Sequence, residues 1–165
     1  MESETSMNYQ EWITTVPVEI TQDPLWKLEV YRLGLFIAEI GWEDVVLLNK
    51  NNLTRDAANQ IIRSLDSISA NIAEGYSRST GKDRARYFEY ALGEAREARD
   101  RYFKARRVLK SEVVVHRIKL LTQIVKMLNA FVPVQRKHGI REEKGVYTTL
   151  PEAENEILNL PIPMP

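Results

Sequence analysis

Cysteine is missing from the 165 residues, which removes disulfides, thiol nucleophiles and thiolate metal sites at once. Net charge is missing too: 23 basic residues face 23 acidic ones, so the chain as a whole lacks the positive excess of a nucleic-acid binder and any basic surface must be local. No apolar stretch approaches the length that spans a bilayer. Met1 to Gln22, with Glu2 and Glu4 and no continuous apolar run, lacks the make-up of a signal peptide. A cytoplasmic location without a membrane partner is the expectation. Asn52-Leu53-Thr54 fits a glycosylation acceptor, a match read as chance without a secretory signal. What is present is an ordinary globular balance, 44% hydrophobic and 28% charged, at a length that suits one core.

Four helical segments are expected across 23–139, between an irregular N-terminal arm, 1–22, and a C-terminal tail, 140–165. Asp23 precedes Pro24 as a helix cap would, and Leu28, Tyr31, Leu35, Ala38, Trp42 and Val45 then recur at three- and four-residue steps like a coiled-coil seam. After Asn49-Lys50-Asn51-Asn52, Thr54 can cap a second helix with seam Ala58, Ile61, Leu65, Ile68 and Ile72, ended by Gly75. A polar turn, Ser77 to Gly81, leads to a third helix with Tyr87, Ala91, Ala95, Ala98, Tyr102, Ala105 and Leu109. Ser111 can cap a fourth with Val114, Ile118, Leu121, Val125, Leu128 and Val132, fraying at Pro133 and Gly139. Helices of roughly 20 to 30 residues joined by short turns predict an all-α, antiparallel up-down-up-down four-helix bundle. Pro151, Pro161, Pro163 and Pro165 keep the tail from continuing a helix, so it is expected to be mobile or to dock on a partner.

The residues supply no catalytic, cofactor or metal site. Gly75 to Lys82 has two glycines before a lysine, but its spacing is one residue too long for a phosphate loop, Asp83 stands where Ser or Thr would hold magnesium, and a helix precedes it where a strand is needed. What remains is an expected cradle for one phosphate of a larger polyanion, formed by the amides opening the third helix with Arg78, Lys82 and Arg84. A di-metal bundle needs two Glu-x-x-His pairs. The chain has only two histidines, His116 and His138, and Glu112 lies four residues from His116 rather than three. His116 is read as a boundary residue making one hydrogen bond. Nucleophilic catalysis has no Ser-His or Asp-His pairing to build on.

Charge is concentrated on the third helix, where ten basic residues and five acidic ones lie between Lys82 and Lys110. Beside Tyr90, Tyr102 and Phe103, this cluster can bind RNA or DNA backbone, with Arg78, Lys82, Arg84, Arg96, Arg99, Lys104 and Arg106 as the candidate contacts. The reading the residues favour by themselves is a solvated face laced with pairs such as Glu97 and Arg101. Apolar Phe88, Leu92 and Phe103 fall beside the third seam, and Arg63, Ser67, Ala70 and Glu74 make a stripe opposite the second. Together they are the candidate interface of a homo-oligomer.

The run Gln60 to Arg78, QIIRSLDSISANIAEGYSR, closely resembles the bacterial four-helix-bundle family of proteins encoded in 23S ribosomal RNA intervening sequences. Leu28-Glu29-Val30-Tyr31-Arg32-Leu33 and Ala91-Leu92-Gly93-Glu94-Ala95-Arg96-Glu97 are similar as well, so the resemblance covers about residues 25 to 136 and leaves out both tails. Glu94 departs from the serine the family typically has there, and Arg101 is expected to compensate it. The resemblance implies a homopentamer without established catalysis. The family also includes the accessory variability protein of diversity-generating retroelements, a basic pentamer partnering a reverse transcriptase and RNA. Arg63, Ser67, Asn71, Glu74 and Arg78 match the family motif, which can specify packing and assembly as readily as ligand binding. Two functions follow: a pentameric nucleic-acid-associated accessory protein, or a protein-interaction scaffold whose arms recruit a partner.

Overall fold

The computed structural model describes residues 7–137 and 156–165. They are all α-helical, with no strand among the described residues. The helices are α1 (Tyr9–Thr15), α2 (Val18–Thr21), α3 (Glu29–Asn49), α4 (Arg55–Tyr76), α5 (Gly81–Ala105), α6 (Ser111–Lys137) and α7 (Glu156–Asn159), with a 3-10 turn at Pro24–Lys27. Of the four long helices, α3 packs on α4, α4 on α5, α5 on α6, and α6 more lightly back on α3. One hydrophobic core runs between them.

Local chemistry sets the ends of these elements. The Asp23 carboxylate accepts from the Leu25 amide at 2.8 Å, so it caps the 3-10 turn and α3 starts only at Glu29. Thr54 is the N-cap residue of α4, its carbonyl accepting from the Ala58 amide at 2.8 Å, but its hydroxyl donates to the Leu48 carbonyl at the end of α3 and does not cap α4. Thr80 caps α5, accepting from the Asp83 amide at 3.1 Å while its hydroxyl donates to the Asp83 carboxylate at 2.7 Å. Gly75 does not end α4: the helix continues to Tyr76 and no glycine among the described residues has positive φ. Its lack of a side chain serves packing instead, since a methyl there would lie 2.9 Å from Tyr87 Cβ and 3.0 Å from the Phe88 ring. Pro133 also fails to break its helix, and α6 passes through it to Lys137. Gly139 and the tail boundary at 140 lie outside the described residues.

The seams of α4, α5 and α6 are buried or half-buried as their spacing requires. That of α3 is displaced. Its buried positions are Val30, Leu33, Gly34, Phe36, Ile37, Ile40, Gly41, Asp44, Val45 and Leu48; of the expected seam Leu28 and Val45 are buried, Tyr31, Leu35 and Ala38 half-buried and Trp42 58% exposed. Both stripes of α3 carry apolar side chains at helical spacing, and the polar Asp44 marks the inner one.

The arms are corrected most. Asn8 and Glu11 form a capping box, with bonds of 3.0 and 2.8 Å, that starts a helix in the expected irregular arm. Through it Tyr9 and Trp12 rest on Phe36, with ring centroids 5.0 and 5.2 Å apart. The C-terminal segment docks on its own chain: Leu158 and Ile162 join the core, and the Ile162 amide donates to the Met7 carbonyl at 3.2 Å. Pro161 follows the end of α7, and the strap beyond it packs through Ile162 while Leu160 and Met164 stay exposed.

Candidate nucleic-acid interface and the buried clamp behind it

Asp44, on α3, is fully buried, and so is Arg117 on α6. The guanidinium donates from Nε to Asp44 Oδ2 at 2.8 Å and from Nη2 to Oδ1 at 3.1 Å, while the Tyr102 hydroxyl of α5 donates to Oδ2 at 2.8 Å. Arg117 Nη2 also donates to the Pro163 carbonyl at 3.0 Å, and its Nη1 lies 2.9 Å from His116 Nδ1. Because arginine is only a donor, that nitrogen of His116 accepts, which places the imidazole proton on Nε2. Burial above all, then Arg117 and Lys119, lowers the His116 pKa to about 4. Burial, then the neighbouring Asp44, holds the Tyr102 phenol well above its usual range. These groups bond one another and so clamp α3, α5, α6 and the C-terminal strap together. Sequence reasoning placed Tyr102 in the core and His116 at its edge but missed Asp44 and Arg117.

The strap leaves a groove of about 860 Å³ along α6, lined by Val115, Ile118 and Lys119 on one wall and Ile157, Leu160 and Pro161 on the other. Val115 and Leu160 remain about half exposed.

On the outer side of the molecule, α5 divides the seven candidate cations. Lys82, Arg96 and Lys104 lie on its exposed ridge, joined by Arg86, and Arg107 is exposed in the turn after the helix. Arg99 sits on the flank toward α6 and donates to Thr122 at 3.3 Å. Arg84, half-buried, donates to the Arg78 carbonyl at 3.0 Å, and Arg106 folds back over Phe103, 3.9 Å from its ring centroid. Arg78 pairs with Glu74, donates to the Tyr87 hydroxyl at 2.8 Å and lies over that ring. Of the side chains expected to cradle a phosphate at the start of α5, Arg78 and Arg84 are engaged within the chain and Lys82 stays exposed. The acids of the ridge are also partnered: Asp100 by Lys104 at 2.6 Å, and Glu89 by Arg136.

The pair Glu97 and Arg101 is present, with bonds of 3.0 and 2.8 Å that hold the Glu97 carboxyl below its usual range. Arg101 therefore does not compensate Glu94, one of whose carboxylate oxygens is buried without a partner. Of the candidate interface residues, Phe88 and Leu92 are covered within the chain, Phe88 edge-on to Phe131 with centroids 6.3 Å apart. Arg63, Ala70, Glu74 and Phe103 stay exposed and Ser67 half-buried. Of the other motif residues, Asn71 donates to the Ser67 carbonyl at 2.8 Å.

Among the described residues no helix is long and apolar enough to cross a membrane, and no group of three or more His, Cys, Asp or Glu is placed to hold a metal ion. A family model described as 23S rRNA-intervening sequence protein matches residues 27–130. No curated protein and no solved structure matches the chain.

Proposed function

The chain belongs to the 23S rRNA-intervening sequence protein family, and from that premise we propose that it is a non-catalytic accessory protein that assembles as a homo-oligomer of antiparallel four-helix bundles and binds RNA or DNA through its backbone. The observation that carries the reading is the exposed ridge of α5, where Lys82, Arg86, Arg96 and Lys104 share one face at helical spacing, with Arg107 exposed in the turn that follows. Phosphate contacts of this kind are weak singly and act together when an assembly repeats them. A pentamer, as the family resemblance implies, would present five such ridges, and a reverse transcriptase is the protein partner this reading favours.

The assembly draws support from α3. Its outer stripe, Tyr31, Leu35, Ala38, Trp42 and Val46, is apolar and incompletely covered, a face that a second copy would bury. Phe88 and Leu92 are covered within the chain, so the apolar face we propose for the contact is the one on α3.

Fluorescence anisotropy with labelled RNA tests the reading. Affinity should fall steeply with salt, and reversing Arg86, Arg96 and Arg107 to glutamate should weaken binding to all sequences alike. The groove beneath the strap supports a second reading, a scaffold that takes up a protein segment against Val115 and Leu160. Absence of binding to RNA and DNA at low salt would leave that alternative.

A further inference from the structure

The α5 ridge carries more than charge. Tyr90 is 45% exposed and Phe103 53%, so both rings present area to solvent. Each is held by an arginine: Arg86 Nε donates to the Tyr90 hydroxyl at 2.7 Å with its guanidinium 5.7 Å from the ring centroid, and Arg106 lies over Phe103 while donating to that residue's carbonyl at 3.1 Å. A third pair backs the first. Tyr87 stands edge-on to Tyr90 with centroids 5.7 Å apart and has Arg78 4.7 Å from its own centroid. Two aromatic stations therefore bracket the ridge. Their thirteen-residue separation is about 20 Å along the helix, and Arg96 stands on the exposed face between them.

From this arrangement we propose that the α5 face is a site for single-stranded polynucleotide, with unpaired bases stacking on Tyr90 and Phe103. The proposal rests on the nucleic-acid reading above and narrows it. A duplex offers phosphates and groove edges but keeps its bases stacked on one another, so it would engage the cations and leave both rings in water. An unpaired base has a free π-face, stacks on an aromatic ring whatever its sequence, and stacks on a guanidinium plane as well. The ring-held arginines thus widen each platform and stand ready for the phosphate of the nucleotide that stacks there. Tyr90 lies on the flank of α5 that faces α4, and Phe103 on the flank that faces α6. A strand joining them crosses the helix obliquely over Arg96, and no base-edge donor or acceptor is required along that path.

The test uses the full chain and a fluorescein-labelled RNA of mixed sequence, alone and annealed to its complement. The expected result is tighter binding of the single strand. Phe103→Leu and Tyr90→Leu should each weaken that binding about tenfold while leaving duplex binding and the melting temperature unchanged. Both side chains are exposed, so the variants should fold. Equal or tighter binding of the duplex, with neither leucine variant changing the affinity for the single strand, would overturn the proposal while leaving the backbone-binding reading in place. Binding of neither form at low salt would bring down both.

Discussion

Asp44 and Arg117 show how much one buried pair can organise. The carboxylate accepts three hydrogen bonds and the guanidinium reaches three partners besides it, so neither charge is stranded in the core. Replacing only one partner strands the other: Asp44→Ala should cost about 3–5 kcal/mol in urea unfolding, whereas joint replacement by Leu at 44 and Met at 117 should recover most of that loss. Equal losses for the single and the double variant would count against the clamp. His116 adds a pH dependence. Its pKa is about 4 in the folded chain against 6.5 for an unperturbed imidazole, so below pH 6.5 the unfolded chain takes up a proton that the folded one refuses. Stability from this residue is complete above pH 6.5, declines toward pH 4 and then levels off, a change on the order of 3 kcal/mol. His116→Asn keeps an acceptor for Arg117 but cannot titrate. Melting curves of the two proteins should therefore diverge across that window, and parallel curves would show that His116 is not held neutral.

At the scale of the element, legibility depended on how one-sided each helix is. The seam of α4 was readable because its apolar residues share a single face; Ile68→Asp would put an unpaired charge there, at a cost of several kcal/mol. The sequence of α3 is apolar on two faces, and the polar Asp44 made the true inner one look like the outside. Nothing local to Asp44 announces a partner 73 residues away. The capping box at Asn8 and Glu11 was legible in principle, as a cap residue followed three positions later by glutamate, but the short helix it starts has too few turns for periodicity to register. On α5 the excess of positive charge was legible, whereas its division between an exposed ridge and two flanks needed the neighbouring helices. Gly75 offers the sharpest contrast between a sequence rule and a packing fact. As a left-handed cap it would accept Asn readily. As a contact against Tyr87 Cβ it should lose about 1–3 kcal/mol with Ala and more with Asn. Gly93, whose added methyl meets nothing within 4 Å, is the control: Gly93→Ala should gain about 0.5–1 kcal/mol from helix propensity alone. Asn better tolerated than Ala at 75 would restore the capping role.

For the whole molecule, the question is what covers the outer stripe of α3. The described part of the N-terminal arm is already engaged: Tyr9 and Trp12 lie on Phe36, on a different side of that helix from Trp42. The described C-terminal segment is engaged too, against α6 and the Met7 carbonyl. A second copy is the occupant we propose, and the argument ties assembly to binding. A neutral subunit gains a strong field only by repeating its local basic ridge, so loss of the assembly should also lower the affinity for nucleic acid. Trp42→Glu separates these effects from folding, because a side chain 58% exposed contributes little to the subunit's own core. Light scattering at micromolar concentration should give a multimer for the wild type and a smaller species for Trp42→Glu, with the melting of the isolated subunit little changed. The same variant should bind labelled RNA more weakly although every cation of α5 is intact. A wild-type mass equal to one chain would refute the assembly. A Trp42→Glu protein that keeps the wild-type mass would move the contact off α3, back toward Arg63, Ala70 and Glu74 on α4, which remain exposed.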